Sequence, residues 1–440
     1  MGFYCYRKII YVVILSVLLN ILSPIKIFAS KTLWPSAMNL YDDSLNLDYI
    51  ISTRSTASNS KKGFLLTGDP REVFTLGVGQ VAFNMTLSGY GHVPIQYIEG
   101  LKKRGVKITI IIINDKAPVG IDTTKAPAYF IRPFYYMIDF FASNGVWQEG
   151  NFKRIVDEYS EYVDNWIIGN EINTQVYSFY GSATIEEYTK AYCDTFVKAY
   201  DIIKKANDEA NVYISFDQCW DLPRNDKKSS EYDAYESQYK FNAKELLAYI
   251  NDYIDKGIDW GVALHPYPVP MEDGKFWEDK FEGSEKLKEE KSTRTYYLTY
   301  NNFEVALEYL SEYKFRKNDK NMRNIIISET GVTSHSGEDI QAAGIYFLWE
   351  KVRDNPLISA LLYNAQTDVP DGFDFGLSNT KNKKRLSWAV FKDMDRENEN
   401  AWCKDLLDNV LERYGYVDVL GKIVKETELT DDQKFLLGIK

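Results

Sequence analysis

From Val73 onward, short and almost continuous apolar runs alternate with longer stretches in which apolar residues recur every three or four positions. The runs read as strands covered on both faces, and the stretches as helices that bury one stripe. Phe74 to Asn84 contains a first strand, and Pro94 to Lys103 sets Ile95, Ile98 and Leu101 on one side of a helix that Gly105 ends. Val106 to Ile113 is the second strand, and the third is expected near Tyr135 to Phe140, where the pattern is weakest. Phe152, Ile155, Val156 and Tyr159 recur at helical spacing ahead of a fourth strand, Val163 to Gly169. Helix and strand then continue in turn: Tyr188 to Ala206, Val212 to Phe216, Leu246 to Ile254, and Trp260 to Leu264. A helix through Phe303, Ala306, Leu307 and Leu310 precedes Asn324 to Ser328, and helix Ile340 to Lys351 precedes the eighth strand, Ile358 to Tyr363.

Eight such cycles predict an α/β fold, a closed (β/α)8 TIM barrel in preference to an open doubly wound sheet. The expected organisation is a signal peptide over 1–29, an N-terminal extension over 30–72 laid across the barrel, and the barrel itself over 73–395. A C-terminal helical segment over 396–440, with helices at Asn400 to Leu411 and Thr430 to Leu437, packs outside the barrel. The leader has a basic start at Arg7-Lys8, an apolar run from Ile9 to Leu22, and a cleavage position after Ala29. An uncleaved N-terminal anchor is the alternative. Either one places the remainder outside the cytoplasm, secreted or on the outer face of the cell envelope.

Composition narrows the function. The formal net charge is -11, and becomes -14 once Arg7, Lys8 and Lys26 leave with the leader. No basic cluster is paired with aromatics, so nucleic acid is a disfavoured partner. The 33 Tyr, 23 Phe and 9 Trp supply flat rings for the core and for the apolar faces of sugars. Apart from Cys5 in the leader, the cysteines are Cys193, Cys219 and Cys403, scattered and odd in number, which argues against a disulfide scaffold. His92, His265 and His335 lack paired ligand spacing, so no metal is expected. Gly77-Val78-Gly79 is followed by no phosphate-loop pattern, so no nucleotide or other cofactor is expected either.

The candidate chemistry sits at strand ends. Asn170-Glu171 closes the run Val163 to Gly169, and Ser328-Glu329 closes Ile325-Ile326-Ile327. Two carboxylates on different strands of one barrel are the minimum equipment for hydrolysing a glycosidic bond. Glu171, following Trp166, Ile167 and Ile168, has the apolar surround that raises a pKa and suits an acid/base. Glu329, before the turn at Thr330-Gly331, is the expected nucleophile. Asn170 can donate its amide to a substrate hydroxyl, with Asn173 close behind. After strand six, Tyr267 of His265-Pro266-Tyr267 can orient Glu329, while His265 contacts a hydroxyl or the same carboxylate. Further binding candidates are Gln218 and a stacking Trp220 after strand five, Tyr363, Asn364, Gln366 and Asp368 after strand eight, Asn84 after strand one, and Asn114 with Asp115 after strand two. The long segments Asp221 to Phe241 and Pro266 to Arg294 are placed to wall a cleft.

These motifs resemble those of the large clan of retaining glycoside hydrolases, clan A, which use a (β/α)8 barrel and two catalytic glutamates. Ile168-Gly169-Asn170-Glu171 matches the clan's Asn and acid/base at the end of strand four, and Ile327-Ser328-Glu329-Thr330-Gly331 its nucleophile on strand seven. His265-Pro266-Tyr267 matches its aromatic or His position beyond strand six. The resemblance covers roughly Phe74 to Phe391. Within the clan the chain looks most like a poorly characterised bacterial family marked by Trp-Ile-Ile-Gly-Asn-Glu, His-Pro-Tyr and Ser-Glu-Thr-Gly. One departure is Leu362-Tyr363-Asn364-Ala365-Gln366, where the clan often has a Trp. The resemblance implies retention at an equatorial (β-D or α-L) bond. The expected function is therefore a glycoside hydrolase acting on a polysaccharide or oligosaccharide, with cell-envelope association open. The alternative is a noncatalytic carbohydrate-binding barrel in cell-wall or capsule assembly.

Overall fold

The computed structural model describes residues 60–86, 93–113, 140–143, 146–149, 151–174, 184–222, 241–280, 295–317, 321–369 and 372–437. Eight parallel strands close into a barrel: β1 (Lys62–Leu65), β2 (Gln80–Thr86), β3 (Lys107–Ile113), β6 (Asn165–Ile168), β7 (Asn211–Phe216), β8 (Trp260–Leu264), β9 (Ile325–Ile327) and β10 (Ile358–Tyr363). Closure comes from β1 pairing with β10, Lys62 opposite Leu361 and Phe64 opposite Tyr363. Between β3 and β6 along the chain, β4 (Phe140–Ser143) and β5 (Val146–Glu149) form a separate antiparallel pair. The wall is made by helices α2 (Ile95–Lys102), α3 (Asn151–Tyr159), α4 (Ile185–Ala206), α5 (Ala243–Tyr253), α6 (Glu304–Ser311), α7 (Glu338–Arg353) and α8 (Leu386–Asp393), with a single turn, α1 (Glu72–Thr75), before β2.

Two expectations are corrected. The first barrel strand is β1, inside the segment assigned to the N-terminal extension, so the run ending at Asn84 supplies strand two and Val106 to Ile113 strand three. The expected strand near Tyr135 to Phe140 does not enter the barrel: Phe140 begins β4, and 135–139 lie outside the described residues. The two shifts cancel, and Asn165–Ile168 remains the fourth barrel strand. The leader and residues 30–59 also lie outside the described residues. Among the described residues, no helix is long and apolar enough to cross a membrane.

Alternation along the strands produces two cores. Leu65, Ala82, Ile111, Ile113, Ile167, Tyr213, Ala263, Ile326, Ala360 and Leu362 fill the barrel interior. Their neighbours face outward into the larger layer beneath the helices, for example Phe64, Val81, Ile112, Ile168, Ile214 and Ile327. Inside the barrel, a Cβ on Gly261 would lie 2.4 Å from the Tyr213 ring, so only glycine leaves room for that ring. At β1 the fully buried Lys62 donates Nζ to the Phe391 carbonyl at 2.9 Å and pairs with Asp395 at 2.6 Å, tying the first strand to the end of α8. The C-terminal segment is helical, as α9 (Ala401–Arg413) and α10 (Asp431–Leu437), with an unanticipated hairpin of β11 (Tyr416–Val419) and β12 (Lys422–Lys425) between them. Cys403, Leu407, Val410 and Leu411 of α9 are buried, and Cys193, Cys219 and Cys403 are all free thiols.

Candidate active site

Extending the inward-facing alternation beyond the strand ends brings a set of polar side chains to the C-terminal mouth of the barrel. Above Tyr213 comes Ser215, above Ala263 His265, above Ile326 Ser328, and above Leu362 Asn364. After β6 the chain leaves the pattern: Gly169 takes φ 81° and Glu171 φ 45°. A left-handed glutamate costs about 1–2 kcal/mol relative to the ordinary backbone regions. The turn aims the Glu171 carboxyl back at His265, whose Nδ1 lies 2.9 Å from Oε1. The other ring nitrogen, Nε2, lies 2.8 Å from the Ser328 hydroxyl and 3.1 Å from that of Ser215. Thus His265 contacts Glu171 and two serine hydroxyls; of the partners read from the sequence, a hydroxyl or Glu329, it makes no hydrogen bond to Glu329.

Glu329 has its own two donors. Tyr267 donates its hydroxyl to Oε1 at 2.8 Å, and Asn364 donates its amide to the same oxygen at 3.0 Å. Asn364 gets this close because Gly331 has no side chain; a Cβ there would meet the Asn364 carbonyl at 2.8 Å and the Phe375 ring. In both glutamates Oε1 is held by protein, which leaves Oε2 for other business. One oxygen of Glu171, one of Glu329 and one His265 nitrogen lie within 4.8 Å of one another.

Burial sets the electrostatics. It pushes Glu171 from 4.5 up to about 7, so this carboxyl keeps its proton close to neutrality. Glu329 is also pushed up by burial, and Glu171 adds to that, while His265, Tyr267 and Asn364 pull it back. The two hydrogen-bond donors on one oxygen favour charge on Glu329 over Glu171. Burial lowers His265, against the pull of Glu329 and Asp217, and keeps the imidazole neutral. Tyr267 is raised well above its usual value, chiefly by burial and then by Glu329, so it stays a phenol donor.

The same trio is the group whose donor atoms converge enough to hold a metal ion among the described residues. To ligate there, His265 would have to surrender its Glu171 contact, because its other nitrogen already faces two hydroxyls. The donor set fits a hydrogen-bonded acid pair better than a coordination sphere.

Other candidates fall in different places. Asn170, Asn84 and Gln218 each leave a buried side-chain oxygen without a hydrogen-bond partner, a cost that a donor from a bound molecule would relieve. Trp220 is a correction: it is fully buried in the outer core, edge-on to Tyr309 at 5.6 Å, and offers no stacking face to a sugar. Gln366 is another, for its amide bonds the Asp69 carbonyl at 2.7 Å and Glu72 at 3.1 Å and accepts from the Gly68 N–H at 2.8 Å. It holds the loop after β1. Asn173, fully buried, accepts the Asp217 N–H at 2.8 Å and fixes the loop after β7. Asp368 is paired with Arg385 at 2.6 Å, and the Tyr363 hydroxyl donates to the Phe375 carbonyl at 2.8 Å. Asn114, Asp115 and most of the two long segments expected to wall the cleft lie outside the described residues.

Three residues at this mouth have no role in the sequence reading: Ser215, Ser328 and Asp217. Asp217 is buried, accepts the Cys219 N–H at 2.8 Å, and is raised well above its usual value by burial and then by Glu171. The period-two extension of the inward positions Tyr213 and Ile326 was the available signal for the two serines.

The fold and site together define a (β/α)8 barrel with a half-buried pair of glutamates at its C-terminal mouth. The chain belongs to the family of unknown function DUF5722, whose model matches residues 92–411. No curated protein matches it. Among solved structures it is similar to a hyperthermophilic β-glucosidase from Pyrococcus furiosus (16% identity, TM-score 0.46, 77% of this chain and 85% of that one). It is similar also to the β-glycosidase of Thermosphaera aggregans (15%, 0.46, 77% and 86%). A GH2 β-galacturonidase from Eisenbergiella tayi matches at 11% identity and TM-score 0.41 over 73% of this chain, which spans only 45% of that longer protein. These likenesses concern fold alone.

Proposed function

We propose that the protein is a retaining glycoside hydrolase that cleaves an equatorial (β-D or α-L) bond in a polysaccharide or oligosaccharide, with Glu171 as acid/base and Glu329 as nucleophile. The observation that carries this reading is the approach of the two carboxyl groups, one oxygen of each lying within 4.8 Å of the other. Retention uses carboxyls about 5–5.5 Å apart, close enough for direct attack, whereas inversion leaves about 6.5–9.5 Å for a water. The unequal environments support the division of labour. Glu171 holds a proton up to about pH 7, and Glu329 is held by two donors that favour its anion.

In the first step Glu329 Oε2 bonds to the anomeric carbon while the glycosidic C–O bond breaks, and the Glu171 proton passes to the leaving oxygen. In the second, Glu171, now ionised, takes a proton from water as the water oxygen attacks the same carbon. The ester to Glu329 breaks, releasing its carboxylate and restoring the Glu171 proton. Asn170 and Asn84, with unpaired buried oxygens, are suited to accept hydrogen bonds from sugar hydroxyls. The leader is read as an export signal, so the enzyme works outside the cytoplasm; N-terminal sequencing of the exported protein checks cleavage after Ala29.

The test is a screen of the purified protein against bacterial and plant polysaccharides for new reducing ends. Trapping with activated 2-deoxy-2-fluoro glycosides and peptide mass spectrometry would follow. An ester on Glu329 is expected. Products of inverted configuration, or an adduct on a different carboxyl, would overturn the reading. Saturable sugar binding with no bond cleavage would replace it with a noncatalytic carbohydrate-binding barrel.

A further inference from the structure

The polar cluster behind Glu171 holds more than an orienting histidine. The Ser215 and Ser328 side chains are buried, at 0% and 1% exposure, and each hydroxyl lies against His265 Nε2. Ser215 Oγ also accepts the backbone N–H of Glu171 at 3.2 Å, so one of its lone pairs is taken and its own hydrogen must find an acceptor. Among the described residues, Nε2 is the only atom within hydrogen-bond reach of either serine oxygen that can accept a proton.

The two tautomers of a neutral imidazole are therefore unequal. With the proton on Nε2, that nitrogen donates, and both hydroxyl hydrogens are left buried without an acceptor. With the proton on Nδ1, Nε2 accepts one of them, and Nδ1–H points at Glu171 Oε1. A buried group left unsatisfied is costly, so the second arrangement wins by the count of orphans. The carboxylate side gives the same answer. An ionised Glu171 facing a bare Nδ1 at 2.9 Å would set lone pair against lone pair.

We infer that Ser215 and Ser328 act through His265 as positioning residues, fixing it as the Nδ1–H tautomer so that Glu171 Oε1 is always an acceptor and its proton is confined to Oε2. This rests on the reading of Glu171 as the acid/base. It gives that residue one geometry for both halves of a double displacement: Oε2 carries the proton to the leaving group and later collects one from water, while the His265 hydrogen bond never changes direction. Without the serines, the Glu171 proton can slip onto Oε1 and be donated to Nδ1, facing away from the reaction. The charged groups around the ring are Glu171 on the loop after β6, Asp217 after β7 and Glu329 after β9.

The chain has three histidines, which makes the test direct. Full-length protein labelled with ¹⁵N-histidine, with His265→Asn to assign the signals, should show His265 with a proton-bearing Nδ1 and a bare Nε2 around neutral pH. In the Ser215→Ala/Ser328→Ala double variant the two nitrogens should move toward each other as the tautomers mix. The Glu171 carboxyl, followed by ¹³C as the signal lost in Glu171→Gln, should then titrate about one unit higher, having lost a dependable donor to its anion. A Ser215→Thr/Ser328→Thr variant retains both hydroxyls and should restore both signatures, which a purely packing role would not require. A wild-type His265 protonated at Nε2, or a double alanine variant with an unchanged tautomer, overturns the inference. Neither outcome depends on turnover, so a failure here is distinct from a failure of the glycosidase reading.

Discussion

Burial of Glu171 carries a consequence that needs no substrate to measure. Its carboxyl is raised from 4.5 to about 7, so the folded chain holds that proton more tightly than the unfolded chain does. The stabilisation is fully present below the unfolded value near 4.5 and is lost as pH rises through about 7. At about 1.4 kcal/mol per unit, the loss across that window is about 3 kcal/mol. Glu171→Gln keeps the size, the amide oxygen that His265 can bond and the left-handed backbone, and removes the titration. The variant should match the wild type near pH 4 and exceed it by about 3 kcal/mol at pH 8. That is roughly 3 °C in Tm for a chain of this length. Glu329 and Asp217 remain in both proteins, and losing the Glu171 charge relieves their repulsion, which adds with the same sign. Thermal and urea unfolding of both proteins at half-unit steps from pH 4 to 8 is the assay. Stability curves that run parallel between pH 4.5 and 7.5, or a wild type that gains on the variant as pH rises, would refute the buried, protonated Glu171 on which the acid role depends.

The other predictions concern activity and the corrected residues. Glu329→Ala should remove covalent adduct formation and cut turnover by about 10⁴-fold or more while leaving the circular dichroism spectrum and Tm near those of the wild type. A variant with most of the wild-type rate on the true substrate would sink the nucleophile assignment. Glu171→Ala should slow substrates with poor leaving groups most, and azide should restore deglycosylation after an activated aryl glycoside has loaded Glu329; equal loss on both substrates with no azide rescue would count against the acid/base role. Trp220→Ala should cost about 3–5 kcal/mol of stability, as expected for emptying a core site edge-on to Tyr309. A raised KM with unchanged stability would instead return Trp220 to the substrate cleft.

How much of this was legible beforehand depended on whether the relevant residues were ordinary for their place. Trp260–Leu264 and Ile358–Tyr363 have the bounds read from the sequence, because a buried parallel strand is a short, mostly apolar run: the first is buried throughout and the second is interrupted only by the exposed Ser359. The first strand was hidden by Lys62: a lysine with no exposed surface is rare, and its carbonyl and Asp395 partners lie more than 300 residues away. The third strand was misplaced because the barrel passes directly from β3 to β6, and of the run expected there only Phe140 lies in a described strand, which pairs with β5 outside the barrel. The pairing of Tyr267 with Glu329 could be inferred from adjacency of strands six and seven. Trp220, Asn173 and Gln366 could not be sorted, because a polar or aromatic residue just past a strand end can face the cleft or turn down to hold a loop. Only the positions of its partners decide.

The cost of Glu171 is an argument about its purpose. A glutamate serving as a surface cap would have an ordinary backbone and a solvated carboxylate. Glu171 has φ 45° and a carboxyl pushed to about 7 by burial. Those are penalties of about 1–2 and about 3 kcal/mol, the second felt wherever the group is ionised. Two residues earlier, at φ 81°, the chain uses glycine, the residue that takes such a turn without penalty. Glycine at 171 would free the backbone from strain and remove the acid in one substitution. What the side chain gains in return is a proton retained to neutrality, a hydrogen bond from a neutral histidine, and a position within 4.8 Å of a second carboxyl. Each is a property that acid catalysis uses, and at neutral pH the raised carboxyl brings the fold no net gain.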